Sequence, residues 1–324
     1  MKKWGLVGLT GLLLGCSHPQ NLTSEHSRPD NNIPPIAPTL YDYTLHTPDN
    51  TVINLNMLAI ALADADVVLI GEWHGHPAAH LLQAQLLAAL HAQNPKITLS
   101  MEQFTRDKQH IVNQYLASEI GEKTLIKKGH AWPNYSSDYR PLVEFAKQQH
   151  LDVIASNAPK SIVRCIGKEG AGYLTRLPDT ERKWVAEQLT LSADAYHQRF
   201  YASMHHGDEA TTHRQFAAQT AWDDTMAESI VNYLALFPNK QIIHLAGRFH
   251  VIEGLGIASR IHSRNPNLNI KMITPVTAQS PLTDHAPDYT FTIQPMPTSY
   301  INKAEMDAAM KTLFHQYHGV TCYP

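Results

Sequence analysis

Asp66-Val67-Val68-Leu69-Ile70-Gly71-Glu72-Trp73-His74-Gly75-His76-Pro77 is the stretch that decides the fold. Its first half is a short β-branched run without polar alternation, the pattern of a strand buried on both faces. Gly71 closes the run and allows a tight turn or a close backbone approach. Pro77 then opens an Ala/Leu-rich stretch to about Gln93, which reads as a helix with proline in its first turn. A buried strand that hands over to a helix is the repeating unit of an α/β sheet.

The same pattern recurs outward from this point. Residues 96–100, 151–155, 241–245 and 269–273 read as further buried strands, and Tyr289–Ile293 as a last strand at the sheet edge. Helical stretches at 139–149, 212–236 and 255–264 alternate with them. The connections at 104–138 and 160–211 are too long for simple crossovers and must hold extra elements, with helices expected at 180–188 and 192–203. The expected fold class is α/β: a mostly parallel β-sheet flanked by helices, with an inserted smaller all-helical lobe. The α/β domain then comprises 40–103, 139–160 and 212–324, and the lobe comprises 104–138 and 161–211.

Upstream, Met1-Lys2-Lys3 precedes an apolar run from Trp4 that ends in Leu13-Leu14-Gly15-Cys16. This order reads as a bacterial signal peptide, 1–15, with cleavage before Cys16 and lipid on its sulfur. The run is too short to span a bilayer. Ser17 follows, where an aspartate would signal inner-membrane retention, so an outer-membrane anchor on the periplasmic side is expected. The polar Pro/Asn/Ser-rich stretch that follows makes 16–39 a flexible tether. With Cys16 lipidated, Cys165 and Cys322 are left, either as a disulfide that the periplasm permits or as two free thiols. A formal charge of −3 provides no basic field and argues against nucleic acid as a partner.

In open parallel sheets ligands sit beyond the carboxyl ends of the strands. Four such ends carry polar residues here, and together they would project Glu72, His74, Glu102, Asn157, Arg248 and His250 toward one rim. Glu72 and Glu102 could hold a cation, act as a base or orient a histidine. His74 and His250 suit ligation or hydrogen bonding, and Arg248 offers a forked donor to a carboxylate. The competing reading is a buried polar network that only ties strand ends together. His80, in the first turns of the Pro77 helix, is read equally as ligand or structural residue. A second cluster, Tyr196, His197, Tyr201, His205, His206 and His213, offers phenol and imidazole donors on what reads as a helix face, and Tyr173 follows the turn Gly170-Ala171-Gly172. Dinucleotide, phosphate-loop, nucleophile-elbow, HExxH and covalent c-type haem signatures are missing from the sequence.

Taken in order, Leu69-Ile70-Gly71-Glu72-Trp73-His74, Pro77, His80, Met101-Glu102-Gln103-Phe104, Trp132, Tyr139-Arg140-Pro141-Leu142, Ala155-Ser156-Asn157, Ala218-Gln219, Trp222-Asp223-Asp224-Thr225-Met226-Ala227, Gly247-Arg248-Phe249-His250-Val251 and Gly254-Leu255-Gly256-Ile257 resemble the ChaN-like, haem-binding uptake lipoprotein family of the Tiki/erythromycin-esterase-like superfamily. The resemblance implies haem as cofactor, a role in iron acquisition, a homodimer with haem at the interface and a haem-uptake receptor as partner. It also implies tyrosine coordination to iron, and His74, His80, Arg248, His250, Tyr173 and Tyr201 are the cofactor-binding candidates in this chain. The chain departs from the family pattern at Arg248, where asparagine is usual, and at Ala79-His80, where paired histidines are frequent. The wider superfamily resembles metal-dependent hydrolases. The alternative is therefore a periplasmic peptide or ester hydrolase in which Glu72, His74, Glu102 and His250 hold a divalent metal and Glu72 and Glu102 serve as catalytic carboxylates.

Overall fold

Val67–Glu72 is buried along its whole length, as its apolar run requires. Val68 and Ile70 join Leu82 and Leu86 in a core on one face, while Val67 and Leu69 join Met226, Ile230, Ile257 and Ile261 on the other. Each such buried side chain contributes about 1.5–3 kcal/mol. The first core is covered by the helix Pro77–Gln93, and the second by the 28-residue helix Glu209–Leu236 and the helix Ile257–Arg264. The strand is therefore sandwiched, which is why its sequence shows no alternation.

The computed structural model describes residues 38–203, 208–317 and 321–324. The expected signal peptide, the lipidation site Cys16, the tether through residue 37, and His205 and His206 lie outside the described residues. Eight strands form one sheet: β1 Tyr43–His46, β2 Val52–Ile53, β3 Val67–Glu72, β4 Ile97–Thr105, β5 Val153–Asn157, β6 Gln241–Gly247, β7 Ile270–Val276 and β8 Tyr289–Ile293. Their spatial order is β2-β1-β8-β7-β3-β6-β4-β5. From β8 to β5 every pairing is parallel, whereas β1 runs antiparallel to both β8 and β2. The fold is thus α/β with a mostly parallel sheet. The sequence placed β8 at the sheet edge, but it is internal, because β1 pairs along it from Tyr43–Ile293 to His46–Thr290.

Pro38–Pro324 forms one compact unit. Within it, the 104–138 connection carries the helices Gln109–Leu116 and Glu122–Lys128, whose Ile111, Val112, Tyr115 and Leu125 join the Pro77 side of the core. The 160–211 connection carries Lys160–Glu169, Ala171–Arg176, Asp179–Arg182 and Ala195–Ser203. The helix expected at 180–188 stops at Arg182. That guanidinium donates to the carbonyls of Val185, Ala186 and Glu187, so the chain wraps around it instead of continuing. Cys165 and Cys322 are joined in a disulfide with Cα atoms 5.7 Å apart. Among the described residues no helix is long and apolar enough to cross a membrane.

Candidate functional site

The carboxyl ends of β3, β4 and β6 meet because β6 lies between the other two. Glu72 closes β3 and is buried, its charge compensated by several donors. Tyr139 Oη and His74 Nδ1 donate to Oε1 at 2.6 and 2.7 Å, and Gln83 Nε2 donates to Oε2 at 2.6 Å. Gln103 Nε2 adds a longer contact of 3.4 Å. Burial pushes the Glu72 carboxyl upward, but the His74 hydrogen bond and further donors outweigh it and hold it below the usual carboxylate range. Burial also raises Tyr139 well above the usual phenol value, reinforced by the Glu72 charge, so the phenol stays protonated and donating.

His74 projects from the turn after β3, with 44% of its side chain exposed. Burial of the rest of the ring opposes its charge, yet the Glu72 hydrogen bond and the charge of Glu102 raise its pKa above the ordinary imidazole value. Trp132 meets the ring edge-on at 4.9 Å. A Cβ placed on Gly247, the last residue of β6, would fall 2.9 Å from His74 Nε2 and 3.6 Å from His250 Cδ2. Glycine at 247 thus allows both imidazoles to approach one backbone position.

His250 sits on the short helix Arg248–Val251 that follows β6. Its Nδ1 donates to Asp223 Oδ1 at 2.8 Å, and its Nε2 lies 3.7 Å from Glu102 Oε1. Asp223 also accepts from Tyr196 Oη at 2.5 Å, and Glu102 accepts from the Gly247 amide at 2.7 Å. Burial works to neutralise His250, but the charges of Asp223 and Glu102 push its pKa up to about 9. The rim therefore carries two carboxylate-anchored imidazoles. His74 opens to solvent, whereas His250 is only 9% exposed.

The remaining candidates divide sharply. His80 is buried beside this network: its Nε2 lies 3.2 Å from both the Gly75 amide and Asp138 Oδ2, and its Nδ1 lies 3.0 Å from Gln83 Oε1. Asn157 is buried and does not reach the rim, because its amide donates to the Glu102 carbonyl and its Oδ1 accepts from Ala158. Arg248 turns away toward the β7 end, with Nε donating to Pro275 O and Nη2 to Ser280 O, and its guanidinium lies over Trp73. Tyr173 is buried in the cluster around Cys165, where its hydroxyl accepts from the Tyr323 amide. Tyr201 is half-buried, stacked on His197 at 4.1 Å in an aromatic group that includes Phe200, Phe216 and Phe249. Phe249 connects that group to the rim, since it stands between Arg248 and His250 in the chain.

Glu72, His74, Glu102 and His250 come to one end of the sheet, but not as a cage for a cation. Among the described residues no group of three or more His, Cys, Asp and Glu side chains is arranged to hold a metal ion. The carboxylate oxygens of Glu72 are occupied by side-chain donors, and Glu102 is occupied by the Gly247 amide. The sequence does not reveal the supporting roles of Gln83, Tyr139, Asp223, Tyr196 and Gln219, whose Nε2 donates to Tyr196 Oη at 3.0 Å and lies 3.2 Å from His250 Nδ1. A signal was present for three of them: Gln83 shares a helix face with His80 at i, i+3, and Gln219 and Asp223 share one at i, i+4.

Residues 58–261 match the family model described as "Haem-binding uptake, Tiki superfamily, ChaN". A search of curated proteins finds no match. Among solved structures, the chain resembles ChaN of Campylobacter jejuni, determined with cofacial haem, at a TM-score of 0.63 and 16% identity, covering 78% of this chain and 98% of that one. It also resembles an open-conformation mutant of the erythromycin esterase EreC, with a TM-score of 0.45, 12% identity and coverage of 84% and 87%. A third likeness is to the type III effector HopBA1, with a TM-score of 0.42, 11% identity and coverage of 80% and 100%. At these identities the likeness is one of fold.

Proposed function

This chain belongs to the ChaN-type, haem-binding uptake family of the Tiki superfamily, and from that membership we propose that it binds haem as cargo during iron acquisition. The observation that carries the reading is the family match over residues 58–261, a span that includes Glu72, His74, Glu102, Asp223 and His250. The side chains present suit haem. An imidazole, His74, and a phenol, Tyr201, are partly open to solvent, and both donor types ligate haem iron. Phe249, Tyr201 and Leu255 add apolar surface for a planar macrocycle. Bound haem supplies the iron, and the protein's part is to hold and orient it. The dry Glu72 and His250 networks stiffen the turns that carry these donors. The carboxylates already have hydrogen-bond partners, and among the described residues no group of side chains is arranged to hold a metal beside them, so the hydrolase alternative gains nothing from the geometry.

In its finer form the proposal places the protein on the periplasmic side of the outer membrane, anchored by lipid on Cys16. It forms a homodimer around haem and exchanges its cargo with a haem-uptake receptor. Titration of the purified mature protein with haemin is the direct test. Saturable development of a shifted Soret band is the expected result, and a spectrum equal to free haemin plus protein at equimolar ratio would overturn it. For the anchor, labelled palmitate should be incorporated by the wild type and lost in Cys16→Ala.

A further inference from the structure

The connection between β7 and β8 borders a cavity of about 490 Å³ to which none of Glu72, His74, Glu102 and His250 contributes. Thr290 and Thr292 alternate along β8 onto the cavity side, while Phe291 and Ile293 face the core. Asn50, from the turn between β1 and β2, and Asp284 and His285, from the connection, line it as well. Arg248 steadies the connection from outside, donating to the carbonyls of Ser280 and Pro281 at 3.2 and 3.4 Å. The Glu253 carboxylate accepts from the Thr283 amide at 2.9 Å. Glu253 itself stands in the left-handed backbone region at φ 56°, an unfavourable place for a residue with a side chain. In that conformation its amide donates to Asp288 Oδ2 at 3.0 Å, and Thr274 Oγ1 donates to the same oxygen at 2.5 Å. Asp288 lines the cavity and is wholly buried, yet its Oδ1 has no hydrogen-bond partner. Burial pushes this carboxyl above the usual carboxylate range, and the two donors on Oδ2 do not offset it.

We propose that this cavity is a second binding site, separate from the rim, for a small organic cation carrying a protonated amine, with Asp288 Oδ1 as its buried acceptor. A buried polar atom without a partner is costly, and in a folded protein it marks a partner that is still to come. An ionised carboxylate only accepts, so that partner must donate. An ammonium group brings donors and compensating charge together. Asp284 adds a second carboxylate to the lining, and no lysine or arginine is among the residues that line the cavity, so an anion would meet repulsion there. A bare metal ion does not fit either, because among the described residues no three His, Cys, Asp and Glu side chains are arranged to hold one. The cavity volume falls in the range of small-molecule sites, and the hydroxyls of Thr290 and Thr292 and the amide of Asn50 suit the polar parts of such a ligand. The proposal is independent of haem binding, since it uses no residue of the rim.

The test is calorimetric titration of the purified mature protein with diaminobutane, and with butanediol as its uncharged isostere, at neutral pH and low salt. Wild type, Asp288→Asn and Thr292→Tyr are compared, each checked for native circular dichroism. The wild type should give a saturable isotherm with the diamine and none with the diol. Asp288→Asn keeps an oxygen for Thr274 and Glu253 but removes the charge, and should weaken diamine binding about 10-fold or more. Thr292→Tyr fills the cavity from an exposed strand position and leaves the carboxylate in place. It should abolish binding, which keeps the proposal testable if Asp288→Asn does not fold. Absence of saturable diamine binding by the wild type overturns the site. Equal affinity for the diol overturns the cationic class of ligand. Unchanged diamine affinity in folded Asp288→Asn, or in Thr292→Tyr where the first variant does not fold, reduces the binding to general attraction by a negatively charged surface and overturns the assignment.

Discussion

Glu72 and His250 show how much a few buried side chains control. Glu72 receives hydrogen bonds from Tyr139, His74 and Gln83 inside a dry site. Glu72→Ala leaves those donors unpaired, and a loss of about 3–5 kcal/mol in unfolding free energy by urea denaturation is expected. His250 sets a pH limit. Its folded pKa is raised to about 9 from an ordinary 6.5, so its stabilisation is fully present below 6.5 and is lost as pH rises through 9. At about 1.4 kcal/mol per unit the loss amounts to a few kcal/mol. The Tm of the wild type should fall between pH 6.5 and 9, and His250→Gln should flatten that limb. His244 acts at the other end. Burial depresses it to about 3, so stability is lost as pH falls from 6.5 toward 3, and His244→Gln should reduce that loss in acid melts. Of this residue-level organisation, the sequence shows the paired glutamates and glycine-linked histidines. It conceals the role of Tyr139, because that depends on which way the π-helical turn Tyr135–Tyr139 points once packed.

Elements were legible in proportion to their apolar content. The Pro77 helix begins at its proline and ends at Gln93, as expected, because Leu82, Leu86, Leu87 and Leu90 commit one face to the core. β1 and β2 were missed, since strands of four and two residues with polar flanks carry almost no periodic signal. Their existence depends on β8, which lends hydrogen bonds to a segment that could not form a strand alone. At the opposite border, β5 is protected by a side chain. Gln109 donates to the Val153 carbonyl and accepts from the Ala155 amide, imitating a neighbouring strand. Gln109→Ala removes both bonds. A loss of about 1–3 kcal/mol is expected, with faster amide exchange at Ala155 measured by NMR.

On the scale of the whole molecule, the mostly parallel sheet was legible from the alternation of buried runs and helices. The placement of the final strand was not, because strand order is decided by contacts between segments far apart in sequence. The Cys165–Cys322 bond closes a loop with a sequence separation of 157 residues. Cys322→Ser should lower stability by about 2–5 kcal/mol, read as a Tm drop that dithiothreitol reproduces in the wild type. The same bond has a further implication for anyone cutting the molecule. A protease that nicks the turn between β7 and β8 severs the backbone inside that ring, so the two pieces remain a single covalent species. They should migrate together on a non-reducing gel and separate only when a thiol is added.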